Sequence, residues 1–347
     1  MTSGFCFVWR GWRAVFGAFV GLGLIAFGFT GSAQAQLKEA DYALPDELPP
    51  CLAFEGEPSA VRADCERLIL DDATLPGVRR LARFQRARIV HRDDDAKLVE
   101  ALKPFDFTGA PFALRGYTSV PVGQACYRLG DYECTRTNYD LAMFAGRLNY
   151  YGMRAYAEAI HKSDPPIDYV ARLASFVKRE QEGKTELAGY SQNLMIVMAA
   201  LLELKDRQSE RKDTLIELGR AKISDAAIAN EVCWSLVTDL AAAFDAQMAC
   251  NAAVRLAPGN GSLLDSRAVM HFALGDFESA VADFERALTL AQESALPTYK
   301  FGLSLALDRR GRGDDKTRAA TLKAQALAAQ PALEADFAKY TIYEGKP

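Results

Sequence analysis

Along most of this chain apolar residues return every three or four positions, the spacing of helices buried along one face, and no stretch alternates as a strand would. The pattern predicts helices over 59–70, 75–91, 96–102, 124–129, 132–147, 150–161, 167–182, 187–204 and 210–222. Beyond them the pattern repeats itself at a spacing of 34 residues: Leu240, Ala246, Ala253 and Leu256 recur as Leu274, Ala280, Ala287 and Leu290, Val254 as Leu288, and Glu231 as Asp265. A period of that size marks stacked helical hairpins, each too small to bury its apolar face alone. The repeating units occupy about 227–294, and a helix pair over 297–309 and 316–330 follows. The expected fold class is all-α, an α-solenoid of antiparallel helix hairpins.

Two segments depart from this pattern. Residues 36–50 (QLKEADYALPDELPP) are polar, end in two prolines and read as an extended lead-in. Residues 104–123 (PFDFTGAPFALRGYTSVPVG) are rich in proline, glycine and aromatics, which predicts an irregular break in the array. The organisation expected is therefore an irregular, degenerate helical region over 51–226 and regular repeats with C-terminal capping helices over 227–347.

The stretch 260–292, NGSLLDSRAVMHFALGDFESAVADFERALTLAQ, resembles the tetratricopeptide repeat. The matching features are Ala268 at the close helix contact, the turn Leu274-Gly275-Asp276-Phe277, and Ala280, Phe284 and Ala287 on the second helix, with Pro258 closing the preceding unit. That preceding unit lacks the Gly-Asp turn and carries Trp234 at the small-residue contact. An earlier partial match has Gly123, Gly130, Asp131, Tyr132, Tyr139 and Ala142 in family register. The resemblance is strong over about 227–294 and weak over 51–226. It implies a superhelix that binds other macromolecules and carries no catalytic centre of its own.

The first 35 residues add a compartment. Arg10 and Arg13 precede an apolar run over 14–29, and small residues ending in Ala33-Gln34-Ala35 follow it, the layout of a secretory signal cleaved before Gln36. Retention as a membrane anchor would need roughly 20 apolar residues, more than the run supplies. The chain is expected to be exported, periplasmic or secreted, with no membrane span after cleavage. Loss of Arg10 and Arg13 without any acid takes the formal charge from −4 to −6, which gives no electrostatic case for nucleic acid.

Six cysteines follow the signal, and an even number in an exported chain favours disulfides. Cys233 and Cys250 are symmetric about the turn expected near Ala241-Ala242, and Cys126 and Cys134 about Gly130, so each pair faces across one hairpin. Helix axes roughly 8–10 Å apart bring such residues within disulfide reach. Cys51 and Cys65 pair by elimination. No C-x-x-C spacing and no His91, His161 or His271 beside a cysteine suggests a metal or redox centre, and His271 is expected among packed core residues.

No catalytic motif is legible, and no cofactor is expected. Asp93-Asp94-Asp95 lacks the glycine turn and later Glu of a calcium loop and reads as helix-starting acids. Arg312-Gly313-Asp314 falls in an inter-helix turn, where glycine and aspartate are ordinary. Tetratricopeptide arrays line their inner groove with first-helix residues, which here implies Glu231, Ser235, Thr238 and Asp239 from one unit and Asp265, Val269 and Phe272 from the next. The Lys, Arg and Asn residues with which some family members clamp a terminal carboxylate are absent from those positions. The resulting groove would be acidic with an aromatic floor, suited to a neutral or basic protein segment. A second aromatic zone, Tyr139, Phe144, Tyr150, Tyr151 and Tyr156, together with the loop 105–117, offers an alternative partner site. The functional expectation is a non-catalytic scaffold for a protein or peptide partner in the bacterial envelope. The alternative is an enzyme or accessory subunit whose site lies within 51–226.

Overall fold

In the computed structural model of the protein, residues 37–45, 47–183 and 190–338 are described, and the expected export signal lies outside them. Among the described residues there is no strand. The N-terminal helices are α1 (Pro50–Ala53), α2 (Pro58–Leu70), α3 (Pro76–Val90), α4 (Asp95–Leu102), α5 (Phe112–Arg128), α6 (Tyr132–Phe144), α7 (Tyr150–Ser163) and α8 (Tyr169–Gln181). Next come α9 (Ser191–Leu204), α10 (Gln208–Arg220), α11 (Ala226–Trp234), α12 (Ala243–Leu256), α13 (Gly261–Ala273) and α14 (Phe277–Thr289). The chain continues through α15 (Leu296–Arg310), α16 (Asp315–Ala329) and α17 (Leu333–Ala338).

The last four hairpins, α9–α10 through α15–α16, form a regular series. Their first helices begin at Ser191, Ala226, Gly261 and Leu296, a constant step of 35 residues. The two helices of each hairpin pack together, and each hairpin packs on the next. Small side chains set the approach: Ala246, Ala253, Ala280 and Ala287 are fully buried. Phe284, also fully buried, lies against Gly302 of the following hairpin, where a Cβ would stand 2.5 Å from the ring. One apolar cluster thereby extends from Tyr139 to Ala319, and a second holds Tyr42 to Ala125.

Helix ends follow local chemistry. Asp276 caps α14 by accepting from the Ser279 N–H, and Gly275 supplies the left-handed turn before it at φ +78°. One repeat earlier Ala241 takes that left-handed position at φ +49°. Over Ser235–Asp239 the chain widens into a π turn, directly after Trp234, the bulky residue that stands where Ala268 stands one repeat later. Of the three aspartates at 93–95, two start the helix, Asp94 as the cap of α4 and Asp95 in its first turn paired with Arg128 at 2.5 Å, while Asp93 lies in the preceding turn beside Arg92.

The two segments expected to be irregular are more ordered than their composition suggests. Helix α5 starts at Phe112 and runs through Pro121, although proline cannot donate to the residue four before it. Packing overrides the weak propensity. Gly116 and Gly123, seven residues apart on one face, let the α6 segment come so close that a Cβ would lie 2.1 Å from the Ala145 methyl or 2.4 Å from the Tyr139 ring. The lead-in is docked instead of extended: Glu39–Tyr42 forms a 3₁₀ turn, and Tyr42 is buried 6.1 Å from Phe107 and directly over the backbone of Gly77.

The six cysteines form three bonded pairs. Cys51–Cys65 joins α1 to α2, Cys126–Cys134 joins α5 to α6, and Cys233–Cys250 joins α11 to α12, with Cα separations of 4.9, 5.8 and 4.8 Å. No helix of the described residues is long and apolar enough to cross a membrane.

Two stability measurements follow from this geometry. An alanine in the left-handed region costs roughly 1–2 kcal/mol, so Ala241→Gly is expected to raise unfolding stability by about 0.5–1 kcal/mol and Gly275→Ala to lower it by a similar amount. The opposite order in denaturant titrations would show that the two turns are not equivalent. The Cys233→Ala, Cys250→Ala double variant, which opens a loop of 17 residues, is expected to lose about 3 kcal/mol. Non-reducing peptide mapping that recovers both cysteines of the wild type as free thiols would remove that bond from the account.

Candidate functional site

The first helices α5, α7, α9 and α11 converge on a concavity. Asn149 starts α7 by accepting from the Gly152 N–H, and Tyr150, Arg154 and Glu158 then follow at four-residue steps along a single stripe. That stripe, with Tyr151 and Ala155 beside it, forms one wall of a cleft of about 560 Å³. Tyr127 from the end of α5 and Ala200 and Leu204 from α9 complete it. Tyr127 follows Cys126, so the disulfide to Cys134 holds the helix end that presents it. Tyr151 is 78% exposed and Leu204 42% exposed, so both present apolar surface to the cleft.

A charged network forms the adjoining floor. Arg154 bridges α7 to its neighbours, 3.0 Å from Glu231 and 3.4 Å from Glu203. Arg211, buried on α10, lies 3.0 Å from Asp239 and 3.3 Å from Glu203, and it also donates to the Ser235 hydroxyl. The Tyr150 hydroxyl donates to Glu231, and the Tyr127 hydroxyl to Glu158. Burial, reinforced by the Glu231 carboxylate, pushes the Tyr150 phenol well above its ordinary range. The hydrogen bond to Glu158 pushes Tyr127 up to about 12, with burial adding to it. Both phenols therefore remain protonated donors at neutral pH. Desolvation pulls the Arg154 guanidinium down, but Tyr150, Glu231 and Glu203 together raise it by more, so it stays charged.

The residues expected in the groove divide between this network and the core. Glu231, Ser235 and Asp239 are brought together, yet their oxygens are taken by Arg154, Tyr150 and Arg211. Thr238 is buried and donates to the Trp234 carbonyl, and Val269 and Phe272 are buried. Spacing along a helix leaves its rotation open, and the flanking helices cover these faces. Asp265 is half-buried without an ion-pair partner among the described residues, and desolvation pushes its carboxyl up to about 7. The aromatic zone divides as well. Tyr139 and Tyr156 are core residues, Phe144 packs 4.8 Å from Phe176, and only Tyr150 and Tyr151 reach the cleft. In the loop 105–117, Phe105 and Phe107 pack against Phe84. His271 is half-buried between Asp276 and Asp283, and burial holds its imidazole below the usual value.

Arg154, Glu158, Glu203, Arg211 and Leu204 escape a motif search, because their partners lie up to 77 residues away in sequence. One local signal was available: the pair Tyr150-Tyr151 places two large aromatic side chains about 100° apart around the helix, so together they span more than its narrow buried stripe. No protein-family model matches the chain, and comparison with curated proteins finds no match.

The unpaired Asp265 generates a pH test. In the unfolded chain it loses its proton near pH 4, whereas the folded chain holds it to about 7. Between those values the folded state binds the extra proton, so its stability falls as pH rises. Asp265→Asn is expected to leave stability unchanged below pH 4 and to raise it at pH 8 by up to about 4 kcal/mol, less as solvent screens the half-buried carboxyl. A gain independent of pH in urea titrations would show that the carboxyl ionises normally.

Proposed function

We propose that the protein is a non-catalytic interaction scaffold, an exported array of tetratricopeptide-like hairpins that holds a segment of a partner protein in its concave face. The carrying observation is the cleft itself, a concavity of about 560 Å³ walled by Tyr127, Tyr150, Tyr151 and Leu204. Aromatic side chains standing in a cleft supply most of the energy of protein recognition, since they bury large area at small entropic cost. The salt-bridged floor beneath them ties four helices together, so the cleft is preformed.

Three further observations support the reading. The hairpin series keeps a constant step of 35 residues, the geometry from which extended concave binding surfaces arise. Three disulfide-bonded pairs suit an oxidising compartment outside the cytoplasm. The Tyr127 and Tyr150 phenols are shifted upward, which equips these two to donate hydrogen bonds into the cleft at neutral pH.

A displayed random-peptide library selected on the oxidised protein tests this. Enriched peptides are expected to lose about tenfold to a hundredfold in affinity for Tyr151→Ala and for Leu204→Ser. Both sites are exposed, so helical circular dichroism should not change. Phe244→Ala and Met248→Ala, on the outer face of α12, should bind as wild type does. Loss at α12 with retention at Tyr151 would move the binding surface away from the cleft.

A further inference from the structure

The charges around the cleft do not balance, and their distribution selects a ligand. Two cations, Arg154 and Arg211, face four carboxylates, Glu158, Glu203, Glu231 and Asp239. Both guanidiniums are already engaged: Arg154 by Glu231 and Glu203, and Arg211 by Asp239 and Glu203, at 3.0–3.4 Å. Glu158 is different. It accepts a hydrogen bond from Tyr127, and among the described residues no lysine, arginine or histidine lies within ion-pair distance of it. Its carboxylate borders the same cleft as the Tyr127, Tyr150 and Tyr151 rings.

Resting on the reading of the cleft as a protein-binding site, we propose that it takes a basic segment, with one lysine or arginine side chain seated among Tyr127, Tyr150 and Tyr151 against Glu158. Aromatic faces attract a cation through their quadrupoles, and desolvation strengthens that attraction. The carboxylate supplies the counter-charge that the protein leaves open. The other ligand chemistries fit less well. An acidic segment would enter a cluster with two net negative charges and find both guanidiniums taken. A wholly apolar segment would cover Glu158 and leave its charge without a partner, which is costly. The cleft is also larger than one side chain, so residues flanking the cation can lie against Leu204 and the exposed ring of Tyr151.

Five-residue peptides, acetylated and amidated, with a central lysine or arginine are the probes, and their partners carry Nε-acetyl-lysine or citrulline at the same place. The readout is the set of tyrosine ring resonances in the full oxidised chain. The charged peptides are expected to shift the Tyr150 and Tyr151 resonances and to bind about tenfold more tightly than their neutral counterparts, an advantage that shrinks as salt rises. Glu158→Gln should abolish the difference between charged and neutral peptides, and Tyr151→Ala should weaken the charged ones; Met248→Ala should do neither. Equal binding of charged and neutral peptides would overturn the cation assignment while leaving a segment-binding cleft. Unmoved tyrosine resonances with every peptide at millimolar concentration would overturn both.

Discussion

A hairpin of two short helices cannot bury its apolar stripe by itself, and that shortage of internal cover organises the protein. Each hairpin must lend a face to its neighbour, and the approach needed is closer than ordinary side chains permit. Ala246, Ala253, Ala280 and Ala287 meet that demand with methyl groups, while Gly302 leaves its side of the contact bare so that the Phe284 ring can fill it. In the N-terminal part Gly116 and Gly123 do the same for α5 and α6. The first helices of the last four hairpins recur every 35 residues, and one face of the first helices is left over for other uses.

That leftover face is where the polar chemistry collects. Arg154 and Arg211 cross between α7, α9, α10, α11 and the π turn that follows it, with carboxylate partners from eight to 77 residues away in sequence. Breaking a partly buried pair of this kind leaves an uncompensated charge and destabilises strongly, so the network locks the register of adjacent hairpins. It also consumes the acids that would otherwise have lined an open groove. The surface that remains available is tyrosine-rich, and Glu158 is the carboxylate in it without a cationic partner among the described residues.

Much of the helical architecture is legible in the sequence because its signals are local. The three-to-four-residue period locates α2 through α4, α6 through α10, α15 and α16 to within a few residues, and symmetry about a turn names Cys126 with Cys134 and Cys233 with Cys250. Of helix α5 only the end, predicted over 124–129, is legible, since Pro121, Gly116 and Gly123 are unfavourable by propensity, and only the neighbour packed against them explains their presence. The cleft was half legible. Tyr150 and Tyr151 stand out as adjacent aromatics, but Tyr139 and Tyr156 carry the same composition and are core residues. Burial of Ser235, Thr238, Val269 and Phe272 depends on the rotation of α11 and α13 about their axes, a quantity that periodicity leaves open.

A partner segment held as proposed lies in the cleft and not on the outer surface. Site-specific photocrosslinking tests it most directly, with a photoreactive phenylalanine analogue placed at Tyr151 or at Met248 in the cells that make the protein. Binding in the cleft predicts a discrete protein adduct from position 151, mapped by mass spectrometry to one segment of the partner, and none from position 248. Adducts from position 248 alone would contradict it.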